Sequence, residues 1–200
     1  MKTLKTIFAA ALTAVVLTST AVTTFAAEPT TELATKSAGF NKIWVSGNVK
    51  IVLTQGDKEG VSGTESYDAE KTSVTKQGQT LYINSMEAGQ VTLKITVKDL
   101  QRVEAYGESV VVTSGNFDVK YLQLFLSQRA KAKVSATAGS LYTVINDDAV
   151  LKMSGAADQH TLIASNMKNV KFDNFASLKT NVKGPVLAMA ADSLLISKAK

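Results

Sequence analysis

Apolar and polar residues alternate along most of this chain, and no long stretch follows a helical period. From Phe40 to Asp57 (FNKIWVSGNVKIVLTQGD), Ile43 and Val45 share one face of an extended run, and Val49, Ile51 and Leu53 share one face of the next. A period of two is the signature of a half-buried β-strand. Gly47-Asn48 separates the runs, and such a pair suits the positive φ angles of a two-residue turn, so the expectation is a β-hairpin. Thr72 to Lys76, Thr80 to Asn84 and Val91 to Val97 repeat the alternation, with Gln77-Gly78-Gln79 as a further turn. β-Branched residues and glycine turns dominate throughout, which argues for an all-β protein.

Beyond Leu100 the alternation becomes a degenerate repeat: VEAYGESVVV from Val103, LFLSQRAKAKV from Leu124, TVINDDAVLKM from Thr143, LIASNMKNVKF from Leu162 and LKTNVKGPVLAM from Leu178. Leucines lead into these units at Leu122, Leu141, Leu162, Leu178 and Leu194, at spacings of 16 to 21 residues. Periods of this size predict a solenoid, in which one coil buries its apolar face only when neighbours stack on it. The predicted architecture is a β-helix following an N-terminal hairpin sheet. Leu124, Leu126, Val144, Met153, Leu162, Ala164, Val170 and Phe172 are its expected inward ladder.

The N-terminus changes the picture of where this domain works. Lys2 and Lys5 precede an eleven-residue apolar run, Ile7 to Leu17, and Thr24-Phe25-Ala26 provides small residues at the positions a signal peptidase reads. The run falls short of the ~20 apolar residues of a spanning helix. The expected organisation is therefore a cleaved signal peptide over 1–26, a flexible leader over 27–39 and one domain over 40–200, with no membrane anchor after cleavage. Loss of Lys2 and Lys5 takes the formal net charge from +5 to +3. That is a mildly basic surface and not the field of a nucleic-acid binder. The chain has no cysteine, which excludes disulfides, thiol catalysis, cysteine-ligated metals and lipoprotein anchoring. The expected location is the periplasm or the outside of the cell.

The opening FxxIxVSGxVxxxLTQGD, carried by Phe40, Ile43, Val45-Ser46-Gly47, Val49 and Leu53 to Asp57, resembles the start of the head GIN domain family, a domain of unknown function counted among autotransporter adhesins. Gln79 to Ile83 and the step from Val91 through Asp99-Leu100-Gln101-Arg102-Val103 continue the similarity, and the repeats extend it to about Lys200. The resemblance implies an exported bacterial protein with a right-handed β-helix or β-solenoid. It implies no catalytic residues, since none is established for the family. Family repeats usually turn on a Ser-Gly-Ser/Ala-Gly element. Here the turns are Tyr106 to Ser109, Ser127 to Ala130, Asn146 to Ala149, Ser165 to Lys168 and Val182 to Pro185, and only the first and last keep a glycine.

Candidate chemistry is sparse. His160, the only histidine, lies in Asp158-Gln159-His160 and reads as a solvated loop residue. Asp147-Asp148 would bind calcium or act as acid and base if joined by Asp118 or Asp173 from neighbouring coils. Adjacent aspartates point to opposite faces of a strand, however, and the pair is ordinary in a turn. Arg129, Lys131 and Lys133 alternate with Ala130, Ala132 and Val134, which aims three cations outward. Charge pairing with the Asp147-Asp148 coil is the simpler reading, and a patch for an anionic envelope polymer the functional one. Trp44, Tyr106, Tyr121 and Tyr142 are the aromatics a glycan binder would use, although Trp44 reads better as a cap on the open end of the solenoid, where Phe40 to Asp57 would begin and seal the stack. No phosphate loop, HExxH motif, nucleophile elbow or heptad run occurs.

The sequence thus predicts an exported, non-enzymatic, adhesin-like protein without cofactor or metal. It would bind a glycan or another envelope component through Trp44, Arg129, Asp147 and Asp148, and would not bind nucleic acid. A β-helix carbohydrate-active enzyme and an assembly module that self-associates through edge strands are the alternatives.

Overall fold

A computed structural model describes residues 31–32, 39–63 and 68–184. The predicted signal peptide, most of the leader and the end of the chain lie outside the described residues. The described strands are β1 Thr31–Glu32, β2 Lys42–Gly47, β3 Val49–Gln55, β4 Gly60–Gly63, β5 Thr72–Gln77, β6 Thr80–Ser85, β7 Val91–Val97, β8 Arg102–Ala105, β9 Val110–Thr113, β10 Phe117–Leu126, β11 Lys131–Ile145, β12 Val150–Ala164 and β13 Val170–Lys183. One turn of 3-10 helix, Met167–Asn169, precedes β13, and the all-β expectation holds.

The strands join a single curled sheet. Its two walls are built from parallel neighbours that are successive passes of the chain. In the first wall Ile43 of β2 lies between Leu81 of β6 and Val103 of β8, and the row continues through Leu124, Thr143, Leu162 and Val182. In the second wall Ile51 of β3 lies between Leu93 of β7 and Val111 of β9, and the row continues through Ala132, Leu151 and Val170. The buried residues of both walls form one continuous core. Aligned aliphatic rows of this kind supply most of the folding free energy, at roughly 25 cal/mol per Å2 of apolar surface removed from water.

The predicted N-terminal hairpin is not present. β2 and β3 do not pair with each other: β2 pairs in parallel with β6 and β8, and β3 in parallel with β7 and β9. Gly47-Asn48 is a corner that passes the chain from the first wall to the second. Gly47 takes φ 89°, and a Cβ there would lie 2.0 Å from the carbonyl oxygen of Ser85 in the adjacent strand. The glycine is demanded by close stacking of strands, which local sequence cannot distinguish from the demands of a hairpin turn. The antiparallel hairpin in this region is instead β5–β6, closed at Gly78-Gln79, where the turn was expected.

The inward ladder is partly corrected. Leu124, Leu126, Met153, Leu162 and Ala164 are buried, but Val144 faces outward, Val170 is only partly buried and Phe172 is 42% exposed. The leucine register slips after Leu141. Leu122 does pair with Leu141, yet the next residue in that row is His160, followed by Thr180. Far from being a solvated loop residue, His160 sits inside the core at 2% exposure.

Candidate functional site

Outward positions of the first wall carry the aromatic residues. In β2, Ile43 and Val45 turn into the core, so Trp44 between them faces out. Its register neighbours are Tyr82 of β6 and Glu104 of β8, and beyond Glu104 the row continues with Phe125 of β10. Trp44 packs between two tyrosines, with ring centroids 6.1 Å from Tyr82 and 5.5 Å from Tyr106, both tilted. Phe125 packs against Tyr142 at 5.9 Å, and the Arg102 guanidinium lies 5.1 Å from the centre of the Phe125 ring. Tilted ring pairs and a guanidinium over a ring face are favourable geometries for these groups.

Polar groups are interleaved with the rings. Arg102 Nε donates to Gln123 Oε1 at 2.7 Å, and Arg102 Nη1 donates to Glu104 Oε1 at 3.2 Å. The Tyr106 hydroxyl donates to Glu104 Oε2 at 3.2 Å. Burial, then the Glu104 charge, raise the Tyr106 pKa above its ordinary value, so the phenol stays a neutral donor. The result is a rigid outer strip with two aromatic clusters, Trp44 with Tyr82 and Tyr106, and Phe125 with Tyr142, on either side of an Arg–Glu–Gln network. Tyr82 remains 37% exposed. Such a strip can stack against the C–H face of a ring-shaped ligand and offer donors and acceptors beside it.

The strip is only partly what the sequence suggested. Trp44 does not cap the end of the stack, because β2 lies inside the sheet between β6 and β8. Tyr106 and Tyr142 belong to the strip, whereas Tyr121 stands apart with Lys120 over its ring. Tyr82, Arg102, Glu104, Gln123 and Phe125 were not singled out. Arg102 and Gln123 stand 21 residues apart, one pass of the chain, and that spacing was the available signal.

Arg129, Asp147 and Asp148 lie at the turn edge. Gly107, Gln128 and Asp147 all hold left-handed backbone, at φ 69°, 63° and 56°. They stack through side chains: Gly107 N–H donates to Gln128 Oε1 at 2.6 Å, and Gln128 N–H donates to Asp147 Oδ2 at 2.8 Å. Asp147 is therefore committed to the turn. Arg129 pairs with Glu108, and these two share an open cleft of about 420 Å3 with Asp148, Lys131, Asn48 and Gln90. The structure thus brings Arg129 and Asp148 together but places Trp44 on the wall. Asp118 is tied to Gln55 through its backbone, and among the described residues no three histidine or acidic side chains are placed to hold a metal.

Two solved structures share the fold. A "putative adhesin" from Parabacteroides distasonis aligns at TM-score 0.55 and 15% identity, over 78% of this chain and 77% of that one. A "putative lipid binding protein" from the same organism aligns at TM-score 0.53 and 14% identity, over 78% of both chains. Among curated proteins none is similar in sequence. No helix among the described residues is long and apolar enough to cross a membrane. The family profile described as "Putative auto-transporter adhesin, head GIN domain" matches residues 39–184, and the chain belongs to that family.

Proposed function

We propose that this protein is an exported, non-enzymatic, adhesin-like binding protein whose first wall docks a glycan of the cell envelope. The observation that carries the reading is the outward strip of Trp44, Tyr82 and Tyr106 beside Arg102, Glu104 and Gln123. Partly exposed rings next to a satisfied polar network match a sugar, which presents a C–H face and a rim of hydroxyls. An acyl chain would take water from the charged Arg102 and Glu104 and offer nothing to the donor and acceptor sites that their mutual hydrogen bonds leave over, at a cost of about 1–3 kcal/mol for each site left unpaired. Membership of the head GIN family and the apolar run after Lys2 and Lys5 support an exported address.

In the same reading the parallel passes are coils of a right-handed β-solenoid. Parallel strands connected within one sheet cross over right-handedly in about 98% of cases, which supports the handedness. A solenoid wall presents a long stiff face on which weak contacts repeat.

The test is binding of the purified protein to a glycan array, with Trp44→Ala and Tyr82→Ala variants in parallel. Removal of the central ring should weaken binding roughly tenfold or more, the effect of a lost contact worth ~1.4 kcal/mol. Affinity unchanged in both variants, or binding to lipid vesicles but to no glycan, would reject this assignment of the wall.

A further inference from the structure

The second wall carries a different chemistry on its outer face. Lys133 of β11, Lys152 of β12 and Lys171 of β13 occupy directly facing positions on three adjacent parallel strands. Their row continues through two valines to Lys94 of β7, and the next outward row holds Lys50 and Lys131. Five of these six lysines are exposed and Lys50 is partly so. From Lys94 to Lys171 and along the second row the remaining positions are only valine and threonine; the first acid is Glu32 of β1, which the row reaches beyond Lys94 through Ser62 of β4. Among the described residues none of the six takes part in an ion pair.

The sequence suggested that Arg129, Lys131 and Lys133 would pair with the Asp147-Asp148 coil. That pairing does not form. Lys133 faces Lys152 instead of an acid, and Asp147 is held by Gln128. Asp173, two residues beyond Lys171, lies outside both rows, where β12 and β13 shift register between Met153 and Gly155. Like charges directly opposite on neighbouring strands weaken a sheet, and three in a row are a cost the fold alone does not explain.

We infer that this lysine face docks an extended anionic polysaccharide, with acidic groups of successive sugars against Lys133, Lys152 and Lys171. Strands stand ~4.8 Å apart, so the row repeats its charge on the scale of one sugar unit in an extended chain. Lysine supplies point charges on flexible stems, which tolerate the irregular spacing of acidic groups on a polymer. The rows offer no aromatic ring for base stacking, and the described residues hold no helix longer than the single turn Met167–Asn169 to enter a DNA groove. This surface is separate from the Trp44 strip, and its binding does not depend on that strip.

The experiment measures binding of the purified protein to immobilised polygalacturonate and to neutral dextran at increasing salt. The polyuronate should be bound and the dextran should not. Affinity should fall steeply with salt, because each neutralised lysine releases a condensed counterion. Lys133→Gln/Lys152→Gln/Lys171→Gln should bind roughly tenfold or more weakly, since three charge contacts are lost. The corresponding triple arginine variant should keep its affinity, which separates charge from any effect on folding, and Trp44→Ala should bind the polyuronate normally. Equal binding by the wild type and the triple glutamine variant, or equal binding of dextran, would overturn the inference. Tighter binding of double-stranded DNA than of the polyuronate would also overturn it and assign the face to nucleic acid.

Discussion

His160 ends the leucine run of its row. Its ring takes the place a leucine holds in the two preceding passes, with Nε2 3.0 Å from Thr143 Oγ1 and the edges of Phe172 and Phe175 packed 5.7 and 5.2 Å away. Nδ1 is buried without a partner. Burial holds its pKa below the ordinary 6.5, because a charged imidazolium would lose its hydration there. The unfolded chain therefore binds a proton below about pH 6.5 that the native protein refuses until lower pH, so stability falls as pH drops from that point and levels off once the native ring titrates. Urea midpoints measured from pH 7.5 downward should show this slope in the wild type and a smaller one in Thr143→Val/His160→Leu. An identical slope in the double variant would remove His160 from the account. The single His160→Leu change strands the Thr143 hydroxyl, at a cost of about 1–3 kcal/mol, and the second substitution should recover most of it.

At the scale of turns and strands, successive turns are tied together by a stack of side-chain acceptors. Gln128 and Asp147 adopt the left-handed backbone that glycine adopts at Gly107, and each accepts the N–H of the preceding turn. A strained φ at a non-glycine residue is tolerated because the same side chain satisfies an amide that the tight bend would leave unpaired. Asp147→Ala loses the acceptor while keeping the strain, and thermal unfolding should show a loss of about 1–2 kcal/mol. Asp147→Asn keeps both the acceptor and the tolerance of left-handed geometry, and should be close to wild type. Equal losses in the two variants would mean that the 2.8 Å contact contributes nothing.

At the scale of the whole molecule, stability is graded along the stack. β2 and β3 have strands on both sides, whereas β13 is, among the described residues, hydrogen-bonded to β12 alone and leaves Leu178 86% and Val182 53% exposed. Native-state hydrogen exchange should therefore release the amides of β13 well before those of β2 and β3, since local opening costs least where few apolar contacts are lost. Comparable protection in the three strands would contradict a graded stack. The sequence by itself determined the strand content, the inward or outward direction of most side chains and the location of the turns, because alternation and glycine placement are local properties. It also marked Trp44 as aromatic among buried neighbours and Asp147 as a turn residue. Only the tertiary structure decided which strands are neighbours. Alternation tells a strand which face is buried but carries no information about what lies beside it, so Gly47-Asn48 read as a hairpin, His160 as a loop and Lys133 as one half of an ion pair. Once the passes are stacked, the corner, the core histidine and the unpaired lysine row follow from a single register.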